Sequence, residues 1–350
     1  NKQQSIDVNG EIIKSIRYAK FDSKTARIVI DTNKNVEYDI EEKKGQLVLT
    51  IKDPVYEDSG NENITLSMGK LTYYNKGDRV YVTLDGVKLT EGGETLKKFY
   101  TEEYKGNKYT LTFSNDIADL SSNTVKINDK YLESIEIRNN KSSGTTSIIF
   151  NAKKEFKYFP IYRGDVNNTA INILKPASKS DKLVVIDAGH GGSEPGAIYG
   201  NLYEKDLNLD IALKLNELLK SKGVKTYMIR QDDSYVGLYE RAYIANNLNA
   251  ALFLSVHNNA MDDRSYAGTM TLYYSKSSGS GFNGYKFAQI VQRNLLSKLG
   301  TIDRSVRERP NLVVLKATAM PSALAEVAFM TNESDRMNLQ NEAFRMKAAE

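Results

Sequence analysis

The spacing of apolar residues changes character near Lys175 and Pro176, and this change constrains the fold more than any other feature of the sequence. Before it, apolar and β-branched residues recur with the two-residue period of strands, and no long stripe of helical spacing occurs. Such runs lie at residues 27–31, 46–51, 79–84 and 108–113. Residues 1–176 are therefore predicted to form an all-β, sandwich-like domain.

A weak internal repeat is visible within this strand-rich part. Residues 13–17 resemble residues 132–136, and residues 28–31 resemble residues 147–150. Two halves with similar patterns indicate a sandwich of related sheets, although ordinary β alternation could produce the same likeness.

Helices alternate with strands after residue 181. The apolar residues Leu207, Ile211, Leu215 and Leu218 form a stripe at helical spacing that ends at Gly223. The pattern predicts further helices at residues 239–248 and 285–299, and strands at residues 183–188, 226–229, 251–256, 268–274, 312–315 and 323–327. This order predicts an α/β domain over residues 181–350, with a mainly parallel or mixed sheet and helices on both faces.

Composition limits the classes of function. The chain has no cysteine, so disulfides and thiolate metal sites are excluded, and any metal must be held by His and carboxylates. The formal net charge of +4 is mild and no nucleic-acid-binding motif occurs, so no nucleic-acid partner is expected. No apolar run approaches the ~20 residues of a membrane span.

Only two histidines occur in the 350 residues, and each follows an apolar run that is typical of a buried strand. His190 follows residues 183–189 and His257 follows residues 251–256. Ligands of open α/β sheets bind at the carboxyl ends of the strands, and neutral imidazole is a common zinc ligand. The pair indicates one metal site, although each histidine could also be an ordinary polar residue beside a strand.

Two acidic residues could complete such a site. Glu204 opens the first predicted helix, where it is either a third metal ligand or an acid that favours the helix dipole. Two His and one carboxylate form a usual catalytic zinc set, with the fourth position left for water. Glu326 is the one charge in the apolar residues 321–329, and it is either the general base or the ion-pair partner of Arg309.

These residues stand in an order that resembles the zinc-dependent N-acetylmuramoyl-L-alanine amidases of the Amidase_3 family. The matching segments are residues 186–192, 204–206, Arg241 with 245–246, 255–260, 314–316 and 321–332. The resemblance implies that His190, Glu204 and His257 bind one zinc ion and that Glu326 is catalytic. It also implies that Asn259 lines the substrate cleft. Arg309 is likewise predicted to bind the substrate.

The departures from the family pattern are small. Ala328 stands where the family has Gly, and Ala325 replaces a larger aliphatic residue. Some members carry a long helix that plugs the site, and residues 261–282 are too few to hold one. The site is therefore expected to be open, or controlled by a partner protein or by the N-terminal region.

The N-terminal region more loosely resembles AMIN domains at residues 16–17, 27–31 and 47–49. AMIN domains are strand-rich and direct enzymes to sites in the cell envelope, so an envelope-targeting or activator protein is a possible partner.

Together these features predict a peptidoglycan hydrolase, secreted into the cell wall. Because the chain starts at Asn1, a signal peptide is expected to have been removed. Two alternatives remain open at this stage. One is a zinc exopeptidase or aminoacylase, which would use the same chemistry on other amides. The other is a wall-binding regulator with a vestigial catalytic domain.

Overall fold

A computed structural model describes residues 4–8, 13–20, 25–32, 37–52, 63–76, 79–91, 94–95, 100–115, 120–127, 129–164, 166–178, 180–275 and 281–350. Packing divides the chain into two compact units. The first comprises Asn1–Thr72 and Lys97–Phe156, and the second comprises Tyr73–Leu96 and Lys157–Glu350. These limits differ from the division into residues 1–176 and 181–350 that the sequence predicts, because some strands of the N-terminal half pack in the core of the second unit.

The described residues before Lys175 form strands and no helix, as the period of their apolar residues predicts. The strands are β1 (Gln4–Asp7), β2 (Ile13–Lys20), β3 (Ala26–Thr32), β4 (Glu37–Lys43), β5 (Gln46–Lys52), β6 (Asn63–Met68), β7 (Leu71–Lys76), β8 (Arg79–Asp85), β9 (Thr90–Glu91), β10 (Glu94–Thr95), β11 (Tyr100–Lys105), β12 (Lys108–Ser114), β13 (Asn123–Lys126), β14 (Leu132–Asn140), β15 (Thr145–Ala152), β16 (Lys157–Arg163) and β17 (Asn168–Leu174).

The first unit contains antiparallel sheets. One has the order β1-β2-β3, another has the order β11-β12-β15-β14-β13, and β4 pairs with β5 as a hairpin. In the five-stranded sheet, alternate side chains such as Leu111, Phe113, Ile148 and Phe150 are buried. This is the pattern of strands with one face in a core and the other in solvent.

The strands also show an internal repeat, but their pairing aligns residues 28–31 with residues 148–151, one residue beyond the alignment read from the sequence. Strand β2 shifts its register against β3 between Ile13 and Ser15, and β14 shifts against β15 between Leu132 and Ser134. Each pair is followed by a hairpin of two seven-residue strands, β4–β5 in one case and β16–β17 in the other. The matching bulge and strand order support a duplication of residues 4–52 in residues 123–174.

The second unit begins with strands of the N-terminal half. Strand β17 pairs antiparallel with β16 on one side and β8 on the other, and all its side chains are buried. Phe159, Ile161 and Leu174 belong to the same apolar cluster as Ile244 and Phe253. Burial against these residues explains why the strands join the second unit.

A six-stranded mixed sheet forms the centre of the second unit, in the order β21-β18-β22-β25-β23-β24. Strand β18 is parallel to β21 and β22, and β22 is parallel to β25, whereas β23 runs antiparallel to β25. Strands β19 and β20 form a small separate hairpin. The strands are β18 (Val184–Ala188), β19 (Ile198–Tyr199), β20 (Leu202–Tyr203), β21 (Thr226–Met228), β22 (Leu252–Asn259), β23 (Thr269–Tyr273), β24 (Asp303–Glu308) and β25 (Ser322–Phe329).

Helices cover both faces of this sheet. They are α1 (Glu204–Ser221), α2 (Leu238–Asn247), α3 (Gly284–Leu299), α4 (Val313–Lys316), α5 (Glu333–Gln340) and α6 (Glu342–Ala349). On one face, Ile244 of α2 packs with Phe253 and Leu324. On the other, Ile211 of α1 packs with Val256 and Val327. The predicted fold class, a strand-rich region followed by an α/β domain with a mixed sheet, is confirmed.

One local prediction is wrong, and one strand of the central sheet was not predicted. Residues 312–315 were expected to form a strand, and the chain there forms the short helix α4. A short apolar run does not distinguish a strand from a buried helical turn. Strand β24 was not expected because its sequence, DRSVRE, is charged, as is common for strands at the edge of a sheet.

Candidate active site

The turn after β18 carries the first histidine of the site. His190 has a positive φ of 58°, and Gly191 and Gly192 after it have φ values of 136° and 55°. Left-handed backbone is costly for a residue with a side chain and persists only where the surroundings hold it. The glycine-rich sequence therefore forms a tight turn at the carboxyl end of the strand.

Two buried arginines hold this turn by its carbonyl groups. Arg230 donates from Nε to the carbonyl of Ala188 and from Nη2 to that of Gly189, both at 2.9 Å. Arg241 donates from Nη2 to the carbonyl of His190 at 3.0 Å. Burial, together with the neighbouring Arg241, lowers the pKa of Arg230 to about 10, so this side chain remains charged at neutral pH.

Arg241 also forms a buried ion pair with Asp187. Its Nη1 lies 2.5 Å from Asp187 Oδ1, and the two side chains are 2% and 1% exposed. Ser255, opposite Asp187 in β22, donates to the other carboxylate oxygen at 2.7 Å. The ion pair joins α2 to β18, and the bond from Ser255 adds β22. These contacts lie just below the strand ends that carry the two histidines.

His190, Glu204 and His257 come together into one group that could hold a metal ion. Nε2 of His190 lies 3.2 Å from Oε2 of Glu204, and Nδ1 of His257 lies 2.8 Å from Oε1. The ligand atoms of the three residues all lie within 4.8 Å of one another. Two imidazole nitrogens and a carboxylate oxygen at this spacing fit the donor set of a catalytic zinc site.

Glu204 is the first residue of α1 and is buried. Its Oε2 accepts from the backbone N–H of Ala197 at 2.9 Å, and its Oε1 accepts from Nδ2 of Asn208 at 3.1 Å. Burial alone would raise the pKa of Glu204, but the bonds with His190 and His257 outweigh it and hold the pKa below its usual range. The carboxylate of Glu204 is thus directed inward, towards both histidines.

Glu326 lies beside this group on β25, where it pairs in register with His257 of β22. Its Oε2 is buried and has no hydrogen-bond partner among the described residues. Burial raises the pKa of Glu326 to about 7. The alternative ion pair with Arg309 does not form, because no salt bridge joins these two residues within the described parts of the chain and Arg309 is exposed.

Asn259 and Arg309 lie at the border of the site. Asn259 is the last residue of β22, and its Oδ1 accepts from the backbone N–H of Ala260 at 2.8 Å. The positive charge of Arg309 weakly opposes the rise that burial causes in the pKa of Glu326. Their proposed roles in substrate binding stay predictions, as do the roles of the other four residues.

Sequence reasoning missed two buried side chains that support the site. Asn208 donates to the carbonyl of Gly189 and to Glu204, each at 3.1 Å, and it accepts from Nδ2 of Asn258 at 2.9 Å. Arg230, described above, is the second. The signal available was the spacing of Asn208 four residues after Glu204, which places both side chains on one face of α1.

The segment that could cover the site contains no helix in its described residues, 261–275 and 281–282, and forms strand β23 instead. Among the helices of the described residues, none has the length and apolar character needed to cross a membrane.

Comparison with known families gives two matches. A family model described as N-acetylmuramoyl-L-alanine amidase matches residues 184–350, and an AMIN domain model matches residues 1–51. The amidase match contains the whole His190, Glu204 and His257 group and Glu326.

Two curated proteins of Bacillus subtilis (strain 168) are similar to part of this chain. The chain is 40% identical over 169 residues to "Uncharacterized protein YqiI", covering 48% of this chain and 80% of that protein. It is 37% identical over 216 residues to "N-acetylmuramoyl-L-alanine amidase LytC", covering 60% of this chain and 42% of that protein.

A solved structure of an N-acetylmuramoyl-L-alanine amidase from Clostridium difficile 630 is 37% identical, with a TM-score of 0.45, and the match covers 48% of this chain and 90% of that one.

Proposed function

This chain belongs to the N-acetylmuramoyl-L-alanine amidase family, and we propose that it performs the reaction of that family with one zinc ion bound by His190, Glu204 and His257. Family membership makes it a peptidoglycan hydrolase. The bond cleaved is the amide between the lactyl group of N-acetylmuramic acid and the L-Ala of the stem peptide.

The observation that carries the proposal is the position of Glu326 beside the three-residue group. A buried carboxylate oxygen without a partner is costly, and such groups concentrate at functional sites. A zinc ion in the neighbouring group would lower the pKa of a bound water to about 7 and would polarise the amide carbonyl. The unpartnered oxygen of Glu326 is available to take the proton of the attacking water.

Glu326 then has a second role in the same reaction. Having accepted the proton, the carboxyl group can return it to the nitrogen of L-Ala, so that the stem peptide leaves as a neutral amine. A group that works both as base and as acid needs a pKa close to the working pH, and burial brings that of Glu326 to about 7.

The support around the turn keeps this arrangement in place. Arg230 and Arg241 fix the carbonyl groups of residues 188–190, and Asn208 connects that turn to Glu204. The turn that carries His190 is therefore held by the protein itself, without a bound ion. Preorganisation of this kind reduces the reorganisation needed during reaction.

The alternatives named from the sequence have less support. Zinc exopeptidases and aminoacylases often use two metal ions. Among the described residues, only one group of His, Cys, Asp or Glu side chains is close enough together to hold an ion. A vestigial domain usually lacks one of its chemical groups, whereas His190, Glu204, His257 and Glu326 all meet here.

We further propose that the enzyme works outside the cell, in the wall. The AMIN match over residues 1–51 supports an envelope location, and an activator or targeting protein would act through that region. Peptidoglycan is then both the substrate and the surface on which the enzyme is retained.

The test is a digest of purified peptidoglycan by zinc-loaded protein, read by mass spectrometry. Glu326→Gln should keep its zinc and lose about 10²–10⁴-fold in turnover, because general acid–base catalysis contributes that much. His257→Ala should lose zinc as well. Glu333→Gln, an exposed glutamate of α5, is the matched control and should behave as the parent protein.

The expected products are stem peptides with a new L-Ala amino terminus. Full activity of Glu326→Gln would place the base elsewhere, and a zinc-loaded protein that releases no such peptides would contradict the proposed reaction.

A further inference from the structure

Two tyrosines beside the site are surrounded by arginines. The rings are those of Tyr199, in the hairpin just before Glu204, and of Tyr266, in the loop after β22. The guanidinium groups of Arg264 and Arg336 lie 5.8 and 4.0 Å from the centre of the Tyr199 ring. That of Arg304 lies 3.9 Å from the centre of the Tyr266 ring. We refer to Tyr266, Arg304 and Arg307 as the arginine shelf.

Each side chain of the arginine shelf has a hydrogen-bond or packing partner that holds it in place. Arg304 donates from Nε to the carbonyl of Ala267 at 2.6 Å, and this bond holds its guanidinium group over the ring. Arg307 donates from Nη2 to the hydroxyl of Tyr266 at 3.0 Å. The Tyr266 ring packs edge-on against Phe329 at a centroid distance of 4.9 Å.

Neither arginine of the shelf pairs with a carboxylate of the described residues, although the charge of Arg304 helps to lower the pKa of Asp263. Within those residues, Arg17, Arg138, Arg241 and Arg345 each form a salt bridge, and neither Arg304 nor Arg307 forms one. The bonds that hold the shelf go to carbonyl and hydroxyl oxygens, so Arg307 has no carboxylate partner among the described residues. A positioned guanidinium group without such a partner favours a planar anion such as a carboxylate.

The distance of the shelf from the reacting amide suggests which carboxylate it would bind. Phe329, which contacts the shelf, lies three residues after Glu326 on β25, and because β25 bulges here against β22 the separation is roughly 7–10 Å. An extended peptide covers a similar distance in two to three residues. A peptide that runs from the zinc site towards the shelf would therefore place a group carried by its second or third residue next to the shelf.

We propose that the arginine shelf binds the free α-carboxylate of the residue that follows L-Ala in the stem peptide. This inference rests on the proposed amidase function and adds the part of the substrate that is recognised. In peptidoglycan that residue is a γ-linked D-glutamate, whose α-carboxyl group is either free or amidated. The shelf makes the enzyme prefer the free acid.

The test compares two muropeptides that differ only in that group, one with D-glutamate and one with D-isoglutamine. Binding is measured by calorimetry to the full chain carrying Glu326→Gln, so that the substrate is not consumed. We expect about tenfold tighter binding of the free acid, since hydrogen bonds to charged groups are worth that much. Both compounds lack phosphate, so an anionic wall polymer cannot account for a difference.

Variants then show whether the shelf causes the preference. Arg307→Gln should weaken binding of the free acid about tenfold and leave the amide unchanged, so that the preference disappears. Arg307→Lys should restore part of it, because the charge is kept and the planar fork is lost. Arg293→Gln, an exposed arginine of α3, is the matched control and should keep the full preference.

Equal binding of the two muropeptides, or failure to bind either, would overturn the inference. An equal loss for both compounds in Arg307→Gln would show a purely structural role and would overturn it too. If the zinc-loaded parent protein bound the free acid more tightly but cleaved neither compound, the carboxylate site would be supported and the proposed reaction would be contradicted.

Discussion

Gly189 shows how little space separates the two histidines. A Cβ built on Gly189 would lie 2.1 Å from Nε2 of His257, far inside contact distance. Gly189→Ala should therefore displace the imidazole and weaken zinc binding by about 10–100-fold, the loss usual when a residue that orients a ligand is changed. Zinc affinity is measured by competition with a chromophoric chelator.

Gly281→Ala is the control, because a Cβ on Gly281 meets nothing within 4 Å. Unchanged zinc affinity in Gly189→Ala would mean that His257 is not a ligand or that the ring can turn away without loss.

Glu326 should lower the stability of the metal-free protein at high pH. Burial raises its pKa from 4.5 to about 7 in the folded state, so above pH 7 the folded chain carries a charge that the unfolded chain accommodates more easily. Below pH 4.5 the group is protonated in both states and has no effect. Removing the charge with Glu326→Gln should stabilise the apo-protein by up to about 3 kcal/mol at pH 8 and by little at pH 4.

Differential scanning calorimetry of both proteins after chelation, at pH 4 and pH 8, checks this expectation. An equal change in Tm at the two pH values would show that the effect comes from packing and not from the buried charge.

Three of the four proposed site residues carry a local signal in the sequence that the supporting Arg230 lacks. His190 and His257 each end an apolar strand, and Glu326 is a lone charge in an apolar run, so each had a local signal. Arg230 had none, because its partners are carbonyl groups at residues 188, 189 and 205, far from it along the chain. Hydrogen bonds to backbone carbonyl groups cannot be predicted from the pattern of side chains in a sequence.

At the scale of elements, the ion pair of Arg241 and Asp187 connects helix α2 to strand β18. Arg241→Ala would leave Asp187 charged and buried, which costs about 3–5 kcal/mol, whereas the double change with Asp187→Asn should cost less than the single one. The helices described all lie in residues 204–349, so circular dichroism at 222 nm during thermal unfolding reports on the second unit.

An additive result, in which the double variant loses the sum of the two single changes, would contradict a coupled pair.

Helices and strands were predicted well where the periodic pattern of apolar residues extends over many residues. Helix α3 was expected at residues 285–299 and spans Gly284–Leu299, where Gly300 ends it with a left-handed φ of 65°. Strand β24 and helix α4 are short, and neither has enough residues to show a period. Their structure depends on neighbours in space, since β24 pairs with β23 and α4 packs against α2.

At the scale of the whole molecule, the catalytic part needs strands that precede the amidase match. Phe159 of β16 is 7% exposed and lies in the same cluster as Ile244 and Phe253. Phe159→Ala should lower the stability of the second unit by about 3–5 kcal/mol, although residue 159 lies outside the matched residues 184–350. The helical signal at 222 nm serves again as the measurement.

Val166→Ala is the matched control, because that side chain is 53% exposed. If Phe159→Ala left the helical transition unchanged, β16 would be dispensable for the second unit. The sequence could not predict this packing, because the apolar period gives the type of an element and not the core that it joins.

The duplicated strands create a risk of mispairing while the chain folds, since β2 resembles β14 and β3 resembles β15. By the shared bulge, Arg17 corresponds to Glu136 and Asp31 to Asn151. In β2–β3, Arg17 binds Asp31 with 2.8 Å between Nη2 and Oδ1.

Pairing β14 with β3 would bring Glu136 near Asp31, two like charges on one face, and would be disfavoured. We therefore expect the Arg17–Asp31 ion pair to favour the pairing of β3 with β2 over its pairing with β14.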